Sequence, residues 1–245
     1  MNGVWSTVAI GGKTADVYDP PGGRPRFGVL HLHGYSLKTL REETAFSRWF
    51  DEFNLSCVCP HGQHSWWADR VCAEFDATVT AERYLLDAVV PYFLSRWNLP
   101  PQALGLQGIS MGGQGALRLA FKHPQLFAVV AAISPAIEYH ERYYGGTPLD
   151  EMYDSKEQCR QDTVPMHIHP SNQPPHLFYC IDPTDEEWYR GCDRLHEKLN
   201  ALGVAHELDL TTSAGGHSWE YFRHTAERVE RFLFAGLEQQ SRRLL

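Results

Sequence analysis

A chain of 245 residues, 43% hydrophobic and 21% charged, is long enough to form one large α/β domain with a substantial core. A net charge of −8, from 22 basic and 30 acidic residues with no basic cluster, argues against nucleic acid and anionic membrane surfaces as partners. No apolar run approaches transmembrane length, and Met1 to Ile10 lacks the charged-then-apolar pattern of a secretion signal.

Val4 to Ile10 and Lys13 to Tyr18 read as strands joined by a Gly11-Gly12 hairpin turn, followed by a Pro- and Gly-rich loop to Arg26. Phe27 to Leu32 is an apolar run suited to a buried parallel strand. A helix is expected over Leu40 to Phe53, then a strand over Ser56 to Cys59 stopped by Pro60. Thr80 is placed to cap a long helix from Ala81 to Trp97, with Leu86, Val89, Val90, Phe93 and Trp97 as its apolar stripe and Pro91 as a kink. Further strands are expected over Leu104 to Gln107, Ala128 to Ile133, His176 to Ile181 and Ala205 to Leu210. Helices fall between them: Ala116 to Phe121, one marked by Trp188, Cys192, Leu195, Leu199 and Leu202, and a last one marked by Phe222, Ala226, Val229 and Leu233. Glu138 to Pro175 has weak periodicity and reads as a small inserted segment or partial lid. Alternating strands and helices predict an α/β class, with one mostly parallel central sheet covered on both faces and a single domain over residues 1–245. The six cysteines form no Cys-x-x-Cys pair and are expected to be reduced thiols in a cytoplasmic protein.

The sharpest local signal is Gly108-Ile-Ser110-Met-Gly112, between a predicted strand and a predicted helix. Strand, sharp turn and helix together lift a serine Oγ above the sheet, and the glycines are needed because neighbouring backbone packs too closely for a Cβ. Ser110 is therefore the candidate nucleophile. A serine hydroxyl needs a base and an acid that orients the base, in the chain order Ser, acid, His. His217 follows the last predicted strand, in Thr-Thr-Ser-Ala-Gly-Gly-His, where Gly215 and Gly216 let the loop turn back toward the sheet. The acid should follow the strand His176 to Ile181, where Asp182 and Asp185 compete. Asp185 has the greater reach and is preferred; Asp182 can instead cap the turn that Pro183 starts, and Asp193, within the next helix, is a weaker third.

An oxyanion hole should be formed by the backbone N–H of Met111 and that of Tyr35, in the loop His33-Gly34-Tyr35-Ser36, with Gly34 letting the backbone approach the substrate. Losing one such donor typically costs ~3 kcal/mol of transition-state stabilisation. His31 and His33 are assigned to packing around this loop. Trp66 and Trp67 follow a strand end on the active-site side and are expected to line an acyl or aromatic pocket; Tyr139, Tyr143 and Tyr144 are possible additions. The pairs His31-x-His33, His61-x-x-His64 and His167-x-His169 match no zinc spacing, so no metal and no cofactor are expected.

Four stretches resemble the esterase D-like branch of the α/β-hydrolases: Gly108 to Ala116, His123-Pro124-x-x-Phe127 with Ile133-Ser134-Pro135, Ser65-Trp66-Trp67, and Gly216-His217-Ser218-Trp219. The resemblance spans about Phe27 to Leu237 and implies the α/β-hydrolase fold, with Ser110, Asp185 and His217 in the triad roles. It also implies a serine esterase or acyltransferase, a class that includes S-formylglutathione hydrolases, feruloyl and acetyl-xylan esterases and mycolyltransferases. The loop His33-Gly34-Tyr35 departs from the Ser-Gly-Leu-Thr-Cys loop of formylglutathione hydrolases, which argues against that thioester. The expected function is hydrolysis of small or aryl carboxylic esters through an acyl-enzyme. The alternatives are acyl transfer on the same scaffold and a catalytically silent binding protein. The expected partner is a small-molecule ester, and the sequence carries no signal for oligomeric state.

Overall fold

Gly11 and Gly12 both take positive φ (55° and 79°), the left-handed pair that a two-residue hairpin turn requires. They join β1 (Val4–Ile10) to β2 (Lys13–Asp19), with Ile10 opposite Lys13. The computed structural model describes residues 2–242. Met1, where the stretch scanned for a signal begins, and residues 243–245, the end of the expected domain, lie outside the described residues.

The strands that follow are β3 (Phe27–Leu32), β4 (Leu55–Pro60), β5 (Leu104–Ile109), β6 (Val129–Ile133), β7 (His176–Cys180) and β8 (Glu207–Asp209). β3 to β6 are buried along their whole length, as strands covered on both faces must be. They form one eight-stranded sheet in the order β1-β2-β4-β3-β5-β6-β7-β8. The β1–β2 and β2–β4 pairs are antiparallel and all others parallel. One face packs against α1 (Thr44–Phe53) and α8 (Trp219–Arg242) through Phe46, Phe50, Val229 and Leu233. The other packs against α2 (Ala81–Tyr84), α3 (Val90–Trp97), α4 (Met111–Lys122) and α7 (Tyr189–Ala201). This is the single-domain α/β architecture expected from the sequence.

Several boundaries differ from expectation. α1 starts at Thr44 rather than Leu40, because the Leu40 carbonyl closes a turn on Glu43 N. The Glu43 carboxylate is drawn away to Arg223, at 2.7 and 3.0 Å. The helical stretch from Ala81 to Trp97 is present and capped by Thr80, but Leu85–Val89 is a π-helical turn. Pro91 has no N–H to give the Asp87 carbonyl, and the wider turn beside it keeps the helix continuous instead of breaking it. β8 covers three residues instead of six: it starts at Glu207 rather than Ala205, and Asp209 Oδ1 accepts the N–H groups of Thr211 and Thr212 and ends it before Leu210.

The inserted segment carries short helices: 3-10 turns at Tyr139–Arg142 and Val164–Met166, α5 (Leu149–Met152) and α6 (Lys156–Gln161). It packs onto the core rather than standing off it. Tyr139, Leu149, Met152, Tyr153, Cys159 and Val164 are buried in the same cluster as α4 and α7. All six cysteines are buried thiols without a disulfide. Among the described residues no helix is long and apolar enough to cross a membrane.

Candidate active site

β5 ends at Ile109 and α4 begins at Met111, leaving Ser110 alone on the turn with φ 56° and ψ −116°. A non-glycine residue in that region costs about 1–3 kcal/mol and persists only where the surroundings over-determine it. Here the Ser110 N–H donates to Ile133 O (2.9 Å), and its carbonyl accepts from Gln114 and Ala136. The glycines serve close packing. A Cβ on Gly108 would lie 2.1 Å from Gly112 O, and one on Gly112 would lie 1.9 Å from Leu32 O.

Gly215 and Gly216, with φ of 97° and 69°, turn the loop after β8 back over the sheet. This sets His217 Nε2 2.9 Å from Ser110 Oγ and His217 Nδ1 2.6 Å from Asp185 Oδ2. Asp185 is buried, and its Oδ1 accepts the N–H of Trp188 at 3.1 Å, so both oxygens are committed. Asp182, three residues earlier, does not touch His217. Its carboxylate accepts from Thr184 N, Ala214 N and Gly216 N and from the Thr184 and Ser213 hydroxyls. Burial alone would raise its pKa, but the Ala214, Thr184 and Gly216 N–H groups overcome this and hold it well below the usual carboxylate range. Asp193 is exposed on α7. The structure thus brings Ser110, His217 and Asp185 into one hydrogen-bonded line and makes Asp182 the clasp of the histidine loop.

Met111 is the first residue of α4, where backbone N–H groups lack helical partners. The loop Gly34 to Ser36 runs beside Ser110 on the other side. A Cβ on Gly34 would meet Ile109 O at 3.2 Å and Ser110 Cβ at 3.3 Å, so its bareness lets the loop lie against the elbow, and Gly34 also lines a hollow beside Ser110. His33 holds this loop as a neutral imidazole: burial pushes its pKa down to about 4, Nδ1–H donates to Gly34 O and Nε2 accepts from Gly62 N. His31 is buried in β3.

Two hollows flank Ser110 and His217. One, of about 230 Å³, is walled by Tyr35, Trp66 and Trp188, with Arg142 and Glu187 at its rim. The other, of about 200 Å³, is lined by Ser36, Trp219 and Phe222. Trp66 lies in the pocket wall as expected, but Trp67 does not. Trp67 is fully buried, its Nε1 donates to His33 O at 3.0 Å, and its Cβ abuts Gly115. Both tryptophans have positive φ, 53° and 54°, so consecutive side chains diverge, one to the cavity and one to the core. Tyr139 stacks under Trp66 (centroids 5.1 Å apart), Tyr143 bonds the Tyr153 carbonyl, and Tyr144 is exposed.

Several residues of the site were not singled out in the sequence. Gln114 and Arg118 on α4 donate to the carbonyls of Trp66 (2.5 Å) and Trp67 (3.0 Å) and fix that backbone. Arg142 and Glu187 form an ion pair at the rim. Trp188, read as the first apolar position of a helix, is the N-cap of α7 with its ring at the cavity. The spacing of chain-distant residues such as these carries no local signal. Of the three histidine pairs, His61 and His64 are taken by Asp16 and Glu74, and His167 by Asp162, while His33 bonds backbone and His169 accepts the Ser171 N–H. Among the described residues no group of three or more His, Cys, Asp or Glu side chains could hold a metal ion.

A profile of the Esterase family, described as putative esterase, matches residues 14–231. The Ag85A diacylglycerol acyltransferase/mycolyltransferase of Mycobacterium tuberculosis is 28% identical over 118 residues, which is 42% of this chain and 35% of that protein. The match thus spans about a third of the length of that curated relative. The solved structure of the Staphylococcus aureus fluorophosphonate-binding serine hydrolase FphF superposes with a TM-score of 0.77 at 19% identity, covering 96% of this chain and 99% of that one. The S. aureus S-formylglutathione hydrolase FrmB superposes at 0.74 and 16% identity, covering 95% and 98%. At these identities the likeness shows a shared fold.

Proposed function

Since the chain belongs to the putative esterase family, we propose that it is a serine carboxylesterase acting on small or aryl carboxylic esters through an acyl-enzyme. The observation that carries this reading is the hydrogen-bonded line Ser110, His217, Asp185 beside an aromatic cavity. His217 Nε2 takes the Ser110 proton as Oγ attacks the ester carbonyl carbon. Asp185 holds Nδ1 protonated, which leaves Nε2 free to accept, and stabilises the imidazolium that forms. The Met111 and Tyr35 N–H groups receive the carbonyl oxygen as it becomes an oxyanion. The tetrahedral intermediate collapses as His217 returns the proton to the leaving alkoxide, giving alcohol and acyl-Ser110. Water then attacks with His217 again as base, releasing the carboxylic acid and restoring Ser110. The cavity of Tyr35, Trp66 and Trp188 is a seat for the acyl group. The proposed setting is the cytoplasm, where six buried free thiols would stay reduced.

The test is hydrolysis of p-nitrophenyl acetate and butyrate by wild type and Ser110→Ala, with fluorophosphonate labelling of both. Ser110→Ala is expected to lose at least three orders of magnitude in kcat and all labelling. Equal rates in the two proteins would sink the proposal. Acyl transfer is a second reading, supported by the hollow of about 200 Å³ on the other side of Ser110, which offers room for an acceptor alcohol. Product analysis with added alcohols separates ester transfer from hydrolysis.

A further inference from the structure

Each of the two peptides that flank the Tyr35 Cα is held by a histidine. On the N-terminal side, Gly34 O accepts from His33 Nδ1–H (2.8 Å) and from Leu37 N (3.1 Å). On the C-terminal side, Tyr35 O faces His64 Nε2 at 3.0 Å. The same imidazole packs on the Tyr35 ring, with centroids 4.2 Å apart. The Tyr35 N–H itself donates to none of the described residues, so it is available to an incoming oxygen. On its other side, His64 Nδ1 lies 2.7 and 2.9 Å from the two carboxylate oxygens of Glu74. His64 is thus clamped between a carboxylate and the carbonyl of the oxyanion loop.

A backbone carbonyl can only accept a hydrogen bond, and so can an ionised carboxylate. A neutral imidazole has one N–H and serves one of them, whereas an imidazolium has two and serves both. Resting on the esterase reading above, we propose that His64 is a positioning residue for the oxyanion hole, an imidazolium that pins Tyr35 by its carbonyl and its ring. The groups that face His64 suit a cation. Glu74, Asp150 and Glu151 line the hollow of about 490 Å³ beside it, and no lysine or arginine does. Burial keeps the Cys72 thiol and the Tyr35 phenol neutral by pushing their pKa up, and the His33 imidazole neutral by pushing its pKa down. Alkaline solution removes one of the two His64 protons. The remaining N–H stays on the carboxylate, because the charge-assisted bond is the stronger. A lone pair on Nε2 then faces the Tyr35 carbonyl, and the loop loses that hold while Ser110, His217 and Asp185 keep theirs.

The test is the pH profile of kcat and KM for p-nitrophenyl acetate in wild type, Glu74→Gln and His64→Ala. Wild-type kcat is expected to fall roughly tenfold between neutral and alkaline solution, with KM little changed. Glu74→Gln should abolish that fall. Its amide can donate to a neutral Nδ1, which leaves the Nε2 proton for Tyr35 O. His64→Ala should lose roughly ten- to a hundredfold in kcat at neutral pH and show no alkaline fall. A flat wild-type profile, a fall that Glu74→Gln leaves intact, or wild-type kcat in His64→Ala overturns the proposal. If His64→Ala fails to fold, the comparison of wild type with Glu74→Gln decides alone. No hydrolysis by the wild type overturns the esterase reading and this inference with it, whereas hydrolysis that depends on Ser110 but has a flat alkaline profile overturns only the inference.

Discussion

The carboxylate of Asp182 accepts the backbone N–H of Gly216 at 2.9 Å and so fixes the Gly215–Gly216 peptide, one residue short of His217. Asp185, one turn later, meets the His217 ring itself at 2.6 Å. Two acids three residues apart thus do different work, one on the loop's backbone and one on the imidazole. Their variants should fail in different ways.

Asp185→Asn should lose about three to four orders of magnitude in kcat with little change in stability. An amide donating to Nδ1 would favour the tautomer with Nε2 protonated, which cannot take the Ser110 proton. Asp182→Asn presents one acceptor oxygen where three N–H groups and two hydroxyls converge. It should cost about 2 kcal/mol, lowering the melting temperature by roughly 4–8 °C. Ester hydrolysis and thermal unfolding of both variants check this. A fully active, fully folded Asp182→Asn would refute the assignment of Asp182 as the loop's clasp.

Gly112→Ala should be far worse than an ordinary glycine replacement in a helix, because the new Cβ would sit 1.9 Å from Leu32 O and 2.6 Å from His33 O. Those are backbone atoms of a central strand and its loop, which cannot give way cheaply. A loss of more than about 3 kcal/mol in urea unfolding, or insoluble expression, is expected. Gly12→Ala is the control for space, since nothing lies within 4 Å of its would-be Cβ, although its positive φ still exacts a small cost.

Glu230, on α8 against β5, is fully buried, and burial pushes its carboxyl up to about 8 from the ordinary 4.5. The folded protein therefore keeps a proton on Glu230 that the unfolded chain has already released. The stabilising contribution is complete below about 4.5 and is lost as the pH rises through about 8. Glu230→Gln mimics the protonated form. It should remove this slope and raise the urea midpoint at pH 9 while leaving pH 5 nearly unchanged. Parallel pH profiles for the two proteins would rule out Glu230 as the source.

Arg118 is buried between Glu82 (2.9 Å) and Asp162 (3.0 Å) and donates to the Trp67 carbonyl. It ties α4 to α2 and to the inserted segment at once. Arg118→Ala leaves Glu82 with Lys122 and His123 and Asp162 with Tyr153 and His167, so it removes a buried cation without stranding either carboxylate and should cost about 1.5–3 kcal/mol. In amide exchange, residues 139–162 should open no more readily than α4 in the wild type, because the segment shares the core; rapid exchange there would instead identify it as a lid.

Much of this protein could be read from its sequence, because the signals involved are local. β1 and β3 begin and end at the residues expected, since strand burial alternates or saturates over six or seven positions. The Gly108 to Gly112 motif and the Gly215-Gly216-His217 loop were legible because backbone that must turn sharply or touch another strand tolerates only glycine, whatever the rest of the fold does. What tertiary structure alone decided was which oxygen or nitrogen reached which partner. Asp182 and Asp185 are chemically identical, and only the path of the loop 209–217 gives one the backbone N–H groups of Ala214 and Gly216 and the other the His217 ring. Trp66 and Trp67 are likewise the same residue. A pair of left-handed residues, held by Gln114 and Arg118 from a helix some fifty positions away, sends one to the cavity and the other to the core. Hydrogen bonds reach about 3 Å while the residues that make them lie tens of positions apart, so the pattern along the chain determines the elements and their packing determines the site.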